Sequence, residues 1–185
     1  MALTLTKEDG TGKYDSNSYA DVADGDAYHE GHLYGTAWTG ATEEQKAVAL
    51  VMATRLIDVE FQFNGGRVKT EQALQWPRAE CPDPDRVTAR VAPLRWIRDD
   101  YLAFDRVPKA VVDAACELAR ELLVMDRTAA PPGEGVLKQH NADFSETTYS
   151  KTDTRQIIPA LVRTMLGKYG ALLSGGSGAV RLVRV

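Results

Sequence analysis

Sulfur is scarce in this chain, which has two cysteines, Cys81 and Cys116, among 185 residues. One stands beside Pro82 and the other inside a helical pattern, so the pair makes neither a disulfide framework nor a four-ligand metal site. A reducing cytoplasm is the expected place of synthesis. Long apolar runs are missing too. Hydrophobic residues make up 44% of the chain, yet polar residues interrupt every run well before membrane-spanning length, and no transmembrane helix is expected. The N-terminal stretch through Gly12 carries Lys7, Glu8 and Asp9 but no basic segment followed by an apolar one, so no secretory leader is expected. Positive charge is not in excess either: the formal net charge is -4, with 22 Lys and Arg against 26 Asp and Glu. Nonspecific affinity for nucleic acid comes largely from cations that release phosphate counterions, so this composition lends it little support.

The common catalytic signatures are absent as well. There is no phosphate-cradling G-x-x-x-x-G-K-[ST], no nucleophile elbow and no H-E-x-x-H. Asp99 and Asp100 are adjacent and project in different directions on regular structure, which makes them a poor acid–base pair. Cys116, between Ala115 and Ala119, reads as a buried thiol and not as a nucleophile. His29 and His32 are three apart on a helical pattern, but a third ligand is lacking and the spacing is one residue short of the zincin motif. They read as surface or interface histidines. The expectation is a non-enzyme with no cofactor and no metal.

What the chain does contain is helical periodicity. Thr42, followed by Glu43, Glu44 and Gln45, has capping-box spacing, and Leu50, Val51, Ala53, Leu56 and Ile57 then form one apolar stripe, with Lys46 and Arg55 outside it. Gly65-Gly66 ends that helix if Phe61 and Phe63 have not done so. Pro108 suits the first turn of a second helix, which buries Val111, Val112, Ala115, Leu118, Ala119, Leu122 and Leu123 and stops near Ala129, before Pro131-Pro132-Gly133. A third is predicted from Pro159 onward, burying Leu161, Val162, Met165, Leu166, Tyr169 and Leu172. An earlier one, from Val22 to Leu33, has Tyr19, Val22, Ala23, Ala27 and Tyr28 as core candidates and Gly25 and Gly31 as weak points. Gly135 to Tyr149, with a turn candidate at Asn141-Ala142-Asp143, reads as a β-hairpin. Ser174-Gly175-Gly176-Ser177-Gly178 reads as a flexible linker before the extended Val180-Arg181-Leu182-Val183-Arg184-Val185. The fold class is therefore mainly α (α+β): a compact bundle of about four helices with a hairpin insertion and an extended C-terminal tail. Residues 1–17 form an N-terminal arm, 18–173 the helical domain and 174–185 the linker and tail.

The run Gln72-Ala73-Leu74-Gln75-Trp76-Pro77-Arg78 is the most distinctive in the chain. An indole face stacks on a base and a guanidinium binds phosphate, so Trp76 and Arg78 could make a nucleobase platform. A tryptophan before a proline more often anchors a loop to the core, and Trp76, Pro77 and Arg78 are read as that structural anchor. Beyond the motif, Arg86, Arg90, Arg95, Arg98 and Arg106 are interleaved with Asp83, Asp85, Asp99, Asp100 and Asp105. Such a mixed run is a solvated face or a subunit contact.

Taken in order, Ser18-Tyr19, the run from Ala23 to Tyr28, Trp38, the Thr42-capped helix, the Gln72–Arg78 motif and Val107-Pro108 resemble a phage family. That family is catalogued as DnaT-like single-stranded-DNA-binding proteins and is similar to the head-tail connector, or adaptor, proteins of tailed bacteriophages. The resemblance runs from about Tyr19 to Leu173. It implies a structural virion protein that forms a ring, expected to be dodecameric, beneath the portal, and leaves a channel for genomic double-stranded DNA. The implied partners are the portal protein, neighbouring copies and a neck or tail-completion protein, with no membrane; assembly takes place in the host cytoplasm. Val180, Arg181, Leu182, Val183, Arg184 and Val185 would then contact the portal. The hairpin, with Leu137, Lys138, His140, Phe144 and Tyr149, would face a neighbour or the channel. No catalytic residue is implied. The long charged insert between Arg78 and Val107 departs from the commonest pattern.

The tail has a physical logic of its own. A short extended segment can add to a partner sheet while alternate side chains enter pockets, with Val180, Leu182 and Arg184 on one side and Arg181, Val183 and Val185 on the other. The five-residue linker spans about 12 Å root-mean-square. A disordered terminus is the plain alternative. A head-tail connector is the leading reading, and a single-stranded-DNA-binding accessory protein of phage replication is its rival.

Overall fold

The computed structural model describes residues 3–85, 101–129, 138–140, 146–148 and 156–173. Its order is α1 (Val22–Glu30), α2 (Thr36–Thr39), α3 (Glu43–Glu60), β1 (Phe61–Phe63), β2 (Gly66–Arg67), β3 (Arg78–Ala79), α4 (Lys109–Val124), β4 (Lys138–His140), β5 (Glu146–Thr148), α5 (Ala160–Leu166) and β6 (Gly170–Leu172). Every strand belongs to an antiparallel pair: β1 with β6, β2 with β3 and β4 with β5. The class is mainly α with short β elements, and β4–β5 is the hairpin expected within 135–149. The turn candidate at Asn141-Ala142-Asp143 lies outside the described residues.

Helix α4 is the hub on which α1, α2, α3 and α5 all pack. Its sequence explains why: Ala114 to Ala119 are buried in an unbroken run, so the helix is enclosed on all sides. Pro108 is its N-cap, one place earlier than the first-turn position expected, and the helix stops at Val124, short of Ala129. The longest helix, α3, begins as its sequence predicts. Thr42 Oγ1 accepts from Gln45 N at 3.2 Å, and Gln45 Oε1 accepts from Thr42 N at 2.9 Å. Leu50, Val51, Ala53 and Ile57 are buried and Arg55 is exposed. Lys46 is less exposed than expected, because its ammonium pairs with Asp26 at 2.7 Å and lies 5.3 Å from the Trp38 ring centroid.

Three expectations need correction. First, α1 ends at Glu30, and Ala23 and Ala27 face solvent; Gly25 and His29 are the buried positions. A capping box of Asp21 and Asp24 starts this helix. Gly25 is a requirement here, because a Cβ would come 2.2 Å from Trp38 Cζ2, and Trp38 is fully buried. Second, α5 is shorter than predicted. It ends at Leu166, Leu161 is exposed, and the chain turns into β6 to pair with β1, Phe61 opposite Leu172 and Phe63 opposite Gly170. At Gly170 a Cβ would lie 2.4 Å from the Gln62 carbonyl oxygen. Third, His29 is 3% exposed and so is no surface histidine.

The N-terminal arm is held by a carboxylate inside a backbone nest. Glu8 Oε1 accepts from Gly10 N and Gly12 N, and Oε2 accepts from Lys13 N and Ser16 Oγ, all at 2.9 Å. Gly10 has φ +98°, and a Cβ there would meet the Asp105 carbonyl at 2.1 Å, so the nest rests on the loop that leads into α4. No helix of the described residues is long and apolar enough to cross a membrane.

Gly25→Ala is expected to lose about 1–3 kcal/mol by forcing Trp38 off its seat. Urea unfolding followed by tryptophan fluorescence checks this. An unchanged midpoint would contradict the packing described.

Candidate functional site: a buried motif and an open groove

The Gln72–Arg78 motif is legible residue by residue. Gln72 closes the loop on itself: its Nε2 donates to Leu74 O at 2.8 Å and Pro77 O at 3.1 Å, and its Oε1 accepts from Lys69 N at 2.9 Å. The guanidinium of Arg67 donates to the Gln72 carbonyl. Gln75 grips the end of α3, its Nε2 donating to Asp58 O at 2.6 Å and Phe61 O at 3.0 Å. Trp76 is fully buried between Phe63 and Tyr169, with ring centroids at 5.6 and 6.3 Å, and its peptide bond to Pro77 is cis. Arg78 is 4% exposed and turned inward, donating to Asn64 O at 2.7 Å, Gly65 O at 2.6 Å, Phe63 O at 3.1 Å and Gln75 O at 3.2 Å. Neither the indole face nor the guanidinium is presented to a ligand. A nucleobase platform at these two residues is ruled out by that burial.

Beneath the motif lies a half-buried carboxylate that sequence reading missed. Asp58, on α3, accepts from the Tyr19 hydroxyl and from Gln75 N at 3.0 Å, while Tyr19 Oη also accepts from Trp76 N at 3.3 Å. Burial pushes the Asp58 carboxyl up to about 6, against the opposing pull of these hydrogen bonds. The Tyr19 hydroxyl is driven well above its ordinary value, first by burial and then by the Asp58 charge.

A second polar cluster joins α1, the following turn and α4. His29 Nε2 lies 3.2 Å from Cys116 O, and His32 Nε2 lies 3.5 Å from Glu117 Oε2. Glu117, 2% exposed, also accepts from Arg120 Nη2 at 2.7 Å. Burial lowers the His29 pKa and pushes the Cys116 thiol up to about 12. Both cysteines are buried and free, and burial raises the Cys81 thiol as well, which suppresses thiolate chemistry. No group of three or more His, Cys, Asp or Glu among the described residues is placed to hold a metal ion.

The open feature is a groove of about 570 Å³ between the first half of α3 and the end of α4, lined by Glu44, Gln45, Val48, Ala49, Met52, Leu122, Leu123, Asp126 and Thr128. Its floor is aliphatic. Val48, Val124 and Met125 are all exposed in and around it. The signal in the sequence was the pair Val48 and Met52, four apart on α3 and off the buried stripe. Among the described residues, most cations are engaged elsewhere. Lys7, Lys13, Lys46, Lys109, Arg120, Arg127 and Lys168 each pair with a carboxylate, and Arg67 and Arg78 are committed to backbone carbonyls.

The other residues read from sequence fall as follows. Lys138 and His140 lie on β4, opposite Thr148 and Glu146, whereas Leu137, Phe144, Tyr149 and Val180 to Val185 lie outside the described residues. Of the charged insert, residues 86–100 are outside them too, while Asp85 pairs with Lys168 at 3.0 Å and Asp105 with Arg106 at 3.7 Å.

The fold and its surfaces define a small, mainly helical protein with an internal motif latch. A family model described as "Putative DnaT-like ssDNA binding protein" matches residues 3–185, and the chain belongs to that family. No curated protein and no solved structure matches it.

Two outcomes test the latch. Arg78→Lys is expected to lose more than about 2 kcal/mol, because one ammonium cannot serve four carbonyls in divergent directions. Equal stability in urea would contradict that role. The second test concerns pH. The folded Asp58 pKa lies above its unfolded value, so this group's contribution is fully present below about pH 4 and is lost as pH rises through about 6. Relative to Asp58→Asn, the wild type is expected to gain about 2 kcal/mol between pH 7 and pH 4. Parallel stability profiles for the two proteins would overturn the assignment.

Proposed function

We propose that this protein is a structural assembly component, the head-tail connector (adaptor) of a tailed phage, acting by binding geometry and not by turnover. The observation that supports protein contact as its work is the apolar groove between α3 and α4, exposed on a body whose described cations are largely neutralised by partners within the chain. The step from assembly protein to connector rests on the resemblance across Tyr19 to Leu173. In this reading, copies close a ring by heterologous contacts beneath the portal, with double-stranded DNA passing through the channel. The segment Val180 to Val185 attaches to the portal, the hairpin faces a neighbour or the channel, and a neck or tail-completion protein docks opposite. Ordering of the tail on the portal couples assembly to the correct capsid site.

The family description favours a second reading, a single-stranded-DNA-binding accessory protein of phage replication, and that comparison supports it better than it supports a connector. In this reading DNA must use surface other than Trp76 and Arg78, whose base-reading and phosphate-reading groups are buried.

A labelled-oligonucleotide titration at several salt concentrations separates the two. The connector reading expects no binding at low salt. Micromolar binding that weakens steeply with salt would establish the DNA reading in its place. Deletion of Ser174 to Val185 is further expected to abolish portal attachment while leaving the helical circular dichroism unchanged; undiminished attachment would remove the portal role of the tail.

A further inference from the structure

The two histidines at the end of α1 and in the turn after it use their ring nitrogens in opposite ways. His29 Nε2 faces the Cys116 carbonyl at 3.2 Å and can only donate to it, and Nδ1 is buried with no hydrogen-bond partner among the described residues. Burial holds the His29 pKa below the ordinary imidazole range, so this ring stays neutral. His32 is placed differently. Its Nδ1 accepts the backbone N–H of Tyr34 at 3.1 Å, and its Nε2 lies 3.5 Å from Glu117 Oε2. A ring nitrogen that accepts carries no proton, so the single proton of the neutral His32 ring is on Nε2, facing the carboxylate. The next proton has one place to go, which is Nδ1. There it meets the Tyr34 N–H donor against donor, and that hydrogen bond is lost. The same proton puts a positive charge beside Glu117, which is 2% exposed and shares its partner Arg120 with Glu121. Repulsion at Nδ1 and attraction at Nε2 both draw the ring off the turn and onto α4.

The titratable and charged groups around the ring are Tyr28 and His29 on α1 and Glu117 and Arg120 on α4, with Asp113 and Cys116 also on α4. Helix α2 brings no charged side chain. Burial, then the Glu117 and Asp113 charges, push the Tyr28 hydroxyl up to about 12, and burial does the same to the Cys116 thiol, so both stay neutral below neutral pH, as His29 does. Asp113 is paired with Lys109. What His32 holds is the tip of the turn. Its own backbone is tied on both sides, His32 N donating to His29 O at 3.0 Å and Gly35 N donating to His32 O at 3.1 Å. Between those bonds Leu33 and Tyr34 are 85% and 72% exposed. We propose that His32 is a pH-sensitive clasp: uncharged, it ties down the turn between α1 and α2; protonated, it releases Tyr34, moves onto Glu117 and frees the Leu33–Tyr34 tip. The clasp sets how an exposed apolar pair is presented, and it stands whether the protein joins phage components or binds DNA.

The test is heteronuclear NMR of the full chain at pH 8 and pH 5. At pH 8 the His32 ring is expected to be the Nε2–H tautomer. His32→Asn is the reference, because an asparagine oxygen here accepts the same amide two residues on and takes up no proton. Solvent exchange of the Tyr34 amide, relative to the same amide of His32→Asn at the same pH, is expected to be about equal at pH 8 and about fivefold faster at pH 5, the worth of one exposed hydrogen bond. Amides of α3 are expected to keep their protection, which separates a local opening from unfolding. His32→Lys, with a charge and no acceptor, is expected to exchange fast at Tyr34 at both pH values. Tyr34 exchange that matches His32→Asn at pH 5 overturns the proposal. So does the Nδ1–H tautomer at pH 8, or slow Tyr34 exchange in His32→Lys.

Discussion

The guanidinium of Arg78 donates to carbonyls of Phe63, Asn64, Gly65 and Gln75, and so joins β1, the turn after it and the motif loop into one unit. Those carbonyls are outside helical ladders, and a cation with several donors in a rigid fork is the side chain best able to satisfy them together. Gln75 extends the same unit to the last turn of α3, and Trp76 fills the space between Phe63 and Tyr169. Because β1 also pairs with β6, the chain after α5 is registered against the same unit. Removal of this one set of bonds would loosen the end of α3, the motif and the base of the C-terminal tail together.

Function follows from what the latch leaves available. A motif that resembles a nucleic-acid reader by composition is consumed in folding, and many cations of the body are consumed in ion pairs. Among the described residues, an accessible apolar surface lies between α3 and α4, with carboxylates in its wall. That combination suits a protein partner carrying apolar and basic side chains. The family description points instead to DNA, and the two readings require different surfaces.

Much of the helical frame was legible because local signals and burial agreed. The Thr42 box, the stripe from Leu50 to Ile57 and the Pro108 start all coincide with observed elements. What was not legible depended on contacts distant in sequence. Gly25 looked like a weakness in α1 and is the seat of Trp38; Gly170 looked like part of a helix and is where β6 passes close to Gln62. Glu8 and Glu117 are buried carboxylates and Asp58 is a half-buried one; their partners include a backbone nest, the motif loop and the turn after α1, which local periodicity does not show. The groove was hidden for a related reason: Leu122 and Leu123 read as core, and they line an open groove with Val48 and Met52.

Hydrogen–deuterium exchange of the full-length protein, at rising protein concentration and with or without single-stranded oligonucleotide, tests most directly the claim that the motif is internal and the groove is the working surface. The account predicts that residues 44–52 and 122–128 become protected as concentration rises, while residues 72–78 are already protected and do not respond to oligonucleotide. Oligonucleotide-dependent protection at residues 72–78, with none in the groove at any concentration, would contradict it.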